Sequence, residues 1–148
     1  MKKTLFGLLF FGVNLMAQVT NLPVTLEFVN SNEMKIIDIR TEGEWRQMGT
    51  IKDAHLITFF DEKSKYNIKA FLNKLDKVVK KDEKFAIICN TASRTKLVSN
   101  FLGNKLNYDV VNLTGGMMKL IHDGYNVEIY KQNSLQQAES TDTNSTTN

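Results

Sequence analysis

Apolar residues in this chain form short unbroken runs that alternate with stretches of helical spacing. "KIIDIR", residues 35–40, sets Ile36, Ile37 and Ile39 around Asp38 and predicts a buried strand. "AHLITFF" at 54–60, "KFAII" at 84–88 and "YDVVNL" at 108–113 predict three more. Residues 19–22 suit a short edge strand that Pro23 ends. Between these runs the period changes. Ile68, Phe71, Leu72, Leu75 and Val79 share one face of a helix predicted over 66–80, and Lys69, Lys74, Lys77 and Lys80 take the solvated face. Thr25 caps a brief helix through Phe28 and Val29. Thr41 caps another, with Glu42 and Glu44 in its first turn, Trp45 and Met48 beyond, and Gly49 as its stop. Helical spacing resumes from Ser93, with Leu97, Val98, Phe101 and Leu102 on one side, and a last short helix after Gly115 and Gly116 stops at Gly124.

Strands alternating with helices predict a three-layer α/β domain over residues 19–130, with a mostly parallel central sheet of about five strands flanked by helices. From residue 131 the chain turns polar, with one leucine and one alanine, and is expected to be a disordered tail. No internal repeat is found.

The N-terminus changes the picture of where this domain works. Lys2 and Lys3 precede an uncharged apolar run at 5–13, and Ala17 offers a small residue for cleavage. That order predicts a signal peptide at 1–17 and an exported, periplasmic protein, secretion being the alternative. The run is short for a bilayer span and Asn14 interrupts it, so no stable membrane association is expected after cleavage. The whole chain carries 19 basic and 16 acidic residues. Residues 1–17 hold two lysines and no acid, so the remainder is near neutral at +1, which gives no case for nucleic acid as a partner.

Export makes the cysteine count informative. Cys89 is the single cysteine in 148 residues and has no internal disulfide partner. It closes the apolar run of "FAIICNTASRT", just before the helix that begins near Ser93. Ligands of parallel α/β sheets bind at the carboxyl ends of strands. The backbone N–H groups of the turn, with those of the first helical residues, would converge into an anion-binding cup, residues Asn90, Thr91, Ala92, Ser93, Arg94 and Thr95. Positive potential there favours a thiolate and any anionic group attached to its sulfur. These residues alone leave three readings: a phosphatase nucleophile, a carrier of persulfide sulfur, or a structural cysteine closing a strand.

Three motifs in order resemble the single-domain rhodaneses, a family of sulfurtransferases, over essentially the whole predicted domain. "IIDIRTEGEWRQMGTIKDAHLI" is similar to the family's first signature through Asp38, Arg40, Glu44, Trp45, Gly49, Ile51 and Ala54. "CNTASRT" resembles its active loop, Cys-x-x-Gly-x-Arg-Ser/Thr, through Cys89, Arg94 and Thr95. "LTGGMMKLIHDGYNVE" resembles the closing signature through Leu113, Gly115, Gly116, Gly124 and Val127. The chain departs from the pattern at Thr50, Asp53 and Leu120, which replace a common His, Gly and Trp. It departs again at Ala92, which stands where the loop usually has Gly and where a side chain resists positive φ.

The resemblance implies a sulfurtransferase without cofactor. A sulfane sulfur would pass from thiosulfate or a persulfide donor, through a persulfide on Cys89, to cyanide, a small thiol or a protein thiol. It implies that Arg94 fixes the loop, with Asp38, Arg40 and Glu44 in a supporting polar network. Four residues separate Cys89 from Arg94, one fewer than in related dual-specificity phosphatases, and this disfavours the exported phosphatase. A rhodanese-fold sulfur carrier or binding module without turnover remains the alternative. His55 and His122 share no ligand spacing with each other or with Cys89, so no metal is expected. Met117 and Met118 read as packing residues. Asn144 in "DTNST" is a candidate glycosylation acceptor, with an acid two residues before it.

Overall fold

The computed structural model describes residues 19–132; the signal-peptide reading at 1–17, nearly all of the polar tail and Asn144 lie outside the described residues. Ten elements alternate: β1 Val19–Pro23, α1 Leu26–Ser31, β2 Ile36–Asp38, α2 Glu42–Met48, β3 His55–Leu56, α3 Ile68–Leu75, β4 Phe85–Ile88, α4 Ser93–Leu106, β5 Val110–Thr114 and α5 Gly116–His122. The strands form one sheet in the order β1-β5-β4-β2-β3, and every pairing is parallel. The expected mostly parallel sheet is therefore wholly parallel.

Alternation along the strands builds two cores. Ile37, Phe85, Ile87, Cys89 and Val110 face one side, where Phe71 and Leu75 of α3 and Val98 and Leu102 of α4 cover them. Ile36, Ala86, Ile88, Val111 and Leu113 face the other, against Val29 of α1 and Met117 and Leu120 of α5. Full burial of Ile87 and Leu102 is worth about 1.5–3 kcal/mol each.

The strand order fixes where a ligand can bind. From β2 the chain runs outward to β3; from β4 it runs the other way to β5. The strand order reverses between β2 and β4, the switch point at which parallel sheets open a crevice beyond their carboxyl ends. Asp38 ends β2 on one side of that point, and Cys89 follows β4 on the other.

Several elements differ from their sequence expectation. The helix predicted over 66–80 is α3 alone, capped by Asn67, whose side chain accepts from Ala70 N–H. Beyond Leu75 the chain makes tight turns (Lys77 N–H to Lys74 O, Val78 N–H to Leu75 O), yet Val79 stays buried, so the apolar stripe outlasts the helix. The strand predicted over 54–60 pairs regularly only at His55 and Leu56; Ile57 and Phe59 then donate to Asp38 and Ile39 carbonyls along an irregular path. Leu97, expected on the packed side of its helix, is 65% exposed. His55 is half-buried at the sheet edge, where it lines a cavity with Asp53 and Tyr130.

Candidate functional site

Cys89 lies at the first turn beyond β4 and is fully buried. The sequence sets its thiol beside an anion-binding cup; the structure buries it, because Cys89 continues the strand alternation and packs with Ile87 in the α3/α4 core. Its Sγ lies 3.7 Å from Thr95 Oγ1. The Thr95 hydroxyl in turn sits 3.2 Å from the Ala92 carbonyl oxygen, so its single hydrogen has both an oxygen and the sulfur within reach.

The turn between β4 and α4 brings Thr95 of the loop against that sulfur. Among the described residues, no acceptor takes the backbone N–H of any residue from 90 to 95. Three of those donors open α4, where the helix supplies no partner. They are free to serve an anion beside the sulfur. Ala92 reaches this shape only at φ +74°, the left-handed region, where the usual loop glycine is free of Cβ strain. Thr91 and Ser93 hydroxyls meet at 3.3 Å on the outer side.

From below, α5 anchors the same turn. Met117 N–H donates to Cys89 O at 2.9 Å and Met118 N–H to Asn90 O at 3.0 Å. That approach depends on Gly116, at φ +62°, where a Cβ would stand 2.5 Å from Cys89 O and 2.4 Å from Asn90 O. Met117 is core and Met118 points outward, so the pair acts here through its backbone.

The four charged residues singled out in the sequence form two separate pairs. Asp38 and Arg40 are both fully buried: Arg40 Nη2 donates to Asp38 Oδ2 at 2.7 Å and to Gly49 O at 2.8 Å, and Asp38 Oδ1 accepts from Arg40 N–H. This pair braces the chain after β2, and among the described residues neither side chain hydrogen-bonds to residues 90–95. Glu44 alone reaches the loop. Arg94 Nη1 donates to Glu44 Oε2 at 2.7 Å and Nη2 to Oε1 at 2.5 Å, a two-point pair across the switch point. Glu44 also closes a capping box with Thr41, which sets it at the third position of α2.

Electrostatics follow from that geometry. Burial works against ionisation of Glu44, but hydrogen bonds from Arg94 and from Thr41 N–H, with the Arg94 charge, outweigh it and hold the carboxyl below its usual range. The hydrogen-bonded Glu44 carboxylate above all, with smaller contributions from Cys89, holds the Arg94 guanidinium more firmly charged than usual.

A cleft of about 490 Å³ reaches the loop, lined by Ser93, Arg94 and Leu97 of α4, Thr41 and Glu44 of α2, and Phe60, Asp61, Glu62 and Ser64. The last four were missed in the sequence. "FFDEKS" reads as a strand end and a polar turn, and nothing local ties it to a loop some thirty residues later. Among the described residues no group of acidic, histidine and cysteine side chains is arranged to hold a metal ion.

An all-parallel α/β domain with a cysteine loop at the sheet's switch point is the arrangement described. The chain belongs to the family of the rhodanese-like domain, whose model matches residues 24–123. A rhodanese-like domain protein from Staphylococcus aureus is 26% identical, aligned over 69% of this chain and 88% of its own, with a TM-score of 0.51. A rhodanese-related protein from Thermoplasma volcanium shares the fold at 24% identity, over 70% and 92% of the two chains, with a TM-score of 0.52. No curated protein matches the chain.

Proposed function

We propose that the protein is a sulfurtransferase that carries sulfane sulfur as a persulfide on Cys89. The observation that supports this most is the run of N–H groups from residues 90–95, without an acceptor among the described residues, that directly follows Cys89 in a member of the rhodanese-like family. Such a run of donors suits a small anion bound to sulfur. In the first half-reaction the Cys89 thiolate attacks the outer sulfur of a thiosulfate, thiosulfonate or persulfide donor. The donor's S–S bond breaks, and sulfite, sulfinate or thiolate leaves with the electron pair. Cys89–S–S⁻ remains, its terminal sulfur facing the loop amides. In the second, a thiolate or cyanide takes that sulfur and frees the Cys89 thiolate. No cofactor enters either step. Because Cys89 is buried, the residues that cover it must part for a donor to arrive.

The N-terminal pattern supports export to the periplasm as part of this reading, with the substrates met there. Initial rates with donor and acceptor varied together test the reaction. Parallel double-reciprocal lines, abolished in Cys89→Ser, are expected; turnover retained in Cys89→Ser contradicts it.

A further inference from the structure

Rhodanese-type chemistry does not by itself decide the charge of the donor. Here the cleft that reaches the Cys89 loop does. Three carboxylates line it, Glu44, Asp61 and Glu62, against one guanidinium, Arg94. Arg94 is bound at two points by Glu44, whose carboxylate offsets its charge in the cleft. Among the described residues neither Asp61 nor Glu62 has an ion-pair partner. Backbone amides fix both in place: Asp61 Oδ1 accepts from Lys63 N–H and Lys65 N–H at 2.8 Å, and Glu62 Oε1 accepts from Gly43 N–H at 3.1 Å. Neither Lys63 nor Lys65 lines the cleft. Phe60 and the 65% exposed Leu97 give the same mouth an apolar rim.

From this geometry we infer that the site selects sulfane-sulfur donors of no net negative charge, such as a zwitterionic thiosulfonate or a persulfide on a neutral or cationic carrier, and discriminates against dianionic thiosulfate. The inference rests on the sulfur-transfer reading and names its substrate class. The chemistry of loading is unchanged. The Cys89 thiolate attacks the outer sulfur of R–SO₂–S⁻, the S–S bond breaks, and the sulfinate leaves with the electron pair. Only the field through which the donor passes differs.

Three donors share that chemistry and differ in charge: thiosulfate at −2, methanethiosulfonate at −1, and thiotaurine, a zwitterion of net zero. Cys89 loading is followed by mass spectrometry for each, in wild type and in the Asp61→Asn, Glu62→Gln double variant. Both amides keep the oxygen that accepts the backbone N–H, so the loop keeps its anchors. Comparing variant with wild type for each donor cancels intrinsic donor reactivity. Two unit charges across a wet cleft predict that the double variant speeds thiosulfate loading about tenfold and methanethiosulfonate about threefold, and leaves thiotaurine within about twofold. In wild type, added potassium chloride is expected to speed thiosulfate loading and leave thiotaurine unchanged. Thiosulfate loading that is unchanged or slower in the double variant, or slowed by salt in wild type, overturns the inference and leaves sulfur transfer standing. Failure of all three donors to load wild-type Cys89 overturns both.

Discussion

Arg94 and Glu44, fifty residues apart, close two hydrogen bonds of 2.7 and 2.5 Å across the gap between β2 and β4. The pair ties the helix after one strand to the helix after the other, at the point where the strand order reverses. It also shares a carboxylate with the capping box of α2, so loop and helix start are held by one side chain.

Arg94→Ala is therefore expected to loosen the loop and cut sulfur transfer at least tenfold. Arg94→Lys restores only part, because a lysine gives one point of contact where the planar fork gives two. Hydrogen exchange at Lys96, Met117 and Met118, whose N–H groups bond carbonyls of the turn, reads the loop, and steady-state rates read the activity. Full activity in Arg94→Ala would make Arg94 a bystander.

The same pair sets an acid limit. Glu44 has its carboxyl held below the usual range, so folding favours its ionised form. Its contribution to stability is complete above the unfolded-chain value of about 4.3 and is lost as pH falls through the lower folded value. Denaturant melts of wild type and Glu44→Gln are expected to differ at pH 6, and the difference to shrink steadily as pH falls below about 4.3. A constant difference down to pH 3 would show that the effect is not electrostatic.

Tyr108 sets an alkaline limit. Burial, with a hydrogen bond from its hydroxyl to Asp76 at 2.5 Å and the Asp76 charge, pushes its phenol up to about 12. The raised value means stability present below about pH 10 and lost as pH rises toward 12. Tyr108→Phe removes that alkaline loss, read in melts between pH 9 and 11; an unaltered pH profile in the variant would contradict the assignment.

Two loop positions make opposite predictions from one cause. Ala92→Gly relieves a Cβ at φ +74° and is expected to change stability by up to about 1 kcal/mol in the favourable direction. Gly116→Ala forces a Cβ within 2.5 Å of two carbonyl oxygens and is expected to cost about 2–4 kcal/mol. Thermal denaturation of both variants checks the pair.

What the sequence could reveal depended on how local the cause was. Residues 41–49 show α2 in full, since Thr41, Glu44 and Gly49 carry the cap, the capping box and the stop within nine positions. The cost of Ala92 was legible for the same reason. The end of α3 was not, because Val79 is buried by tight turns as well as it would be by another helical turn. The pairing of the charges was not either. Asp38, Arg40, Glu44 and Arg94 read as one network, and only the sheet order separates a buried brace from a loop clamp. The depth of Cys89 follows from strand alternation, which the motif reading passed over in favour of its place before a helix. Asp61 and Glu62 reach the site through the β3–α3 crossover, which leaves no mark on local spacing.

Sulfur transfer requires Cys89 to hold a transferable sulfur. Intact mass of the protein after incubation with excess sulfane donor, followed by removal of the donor, measures it directly. The predicted result is a gain of about 32 Da, absent in Cys89→Ser and reversed on adding cyanide. An unchanged mass with thiosulfate, methanethiosulfonate and thiotaurine alike, in protein whose Cys89 still alkylates after unfolding, would show that Cys89 carries no transferable sulfur.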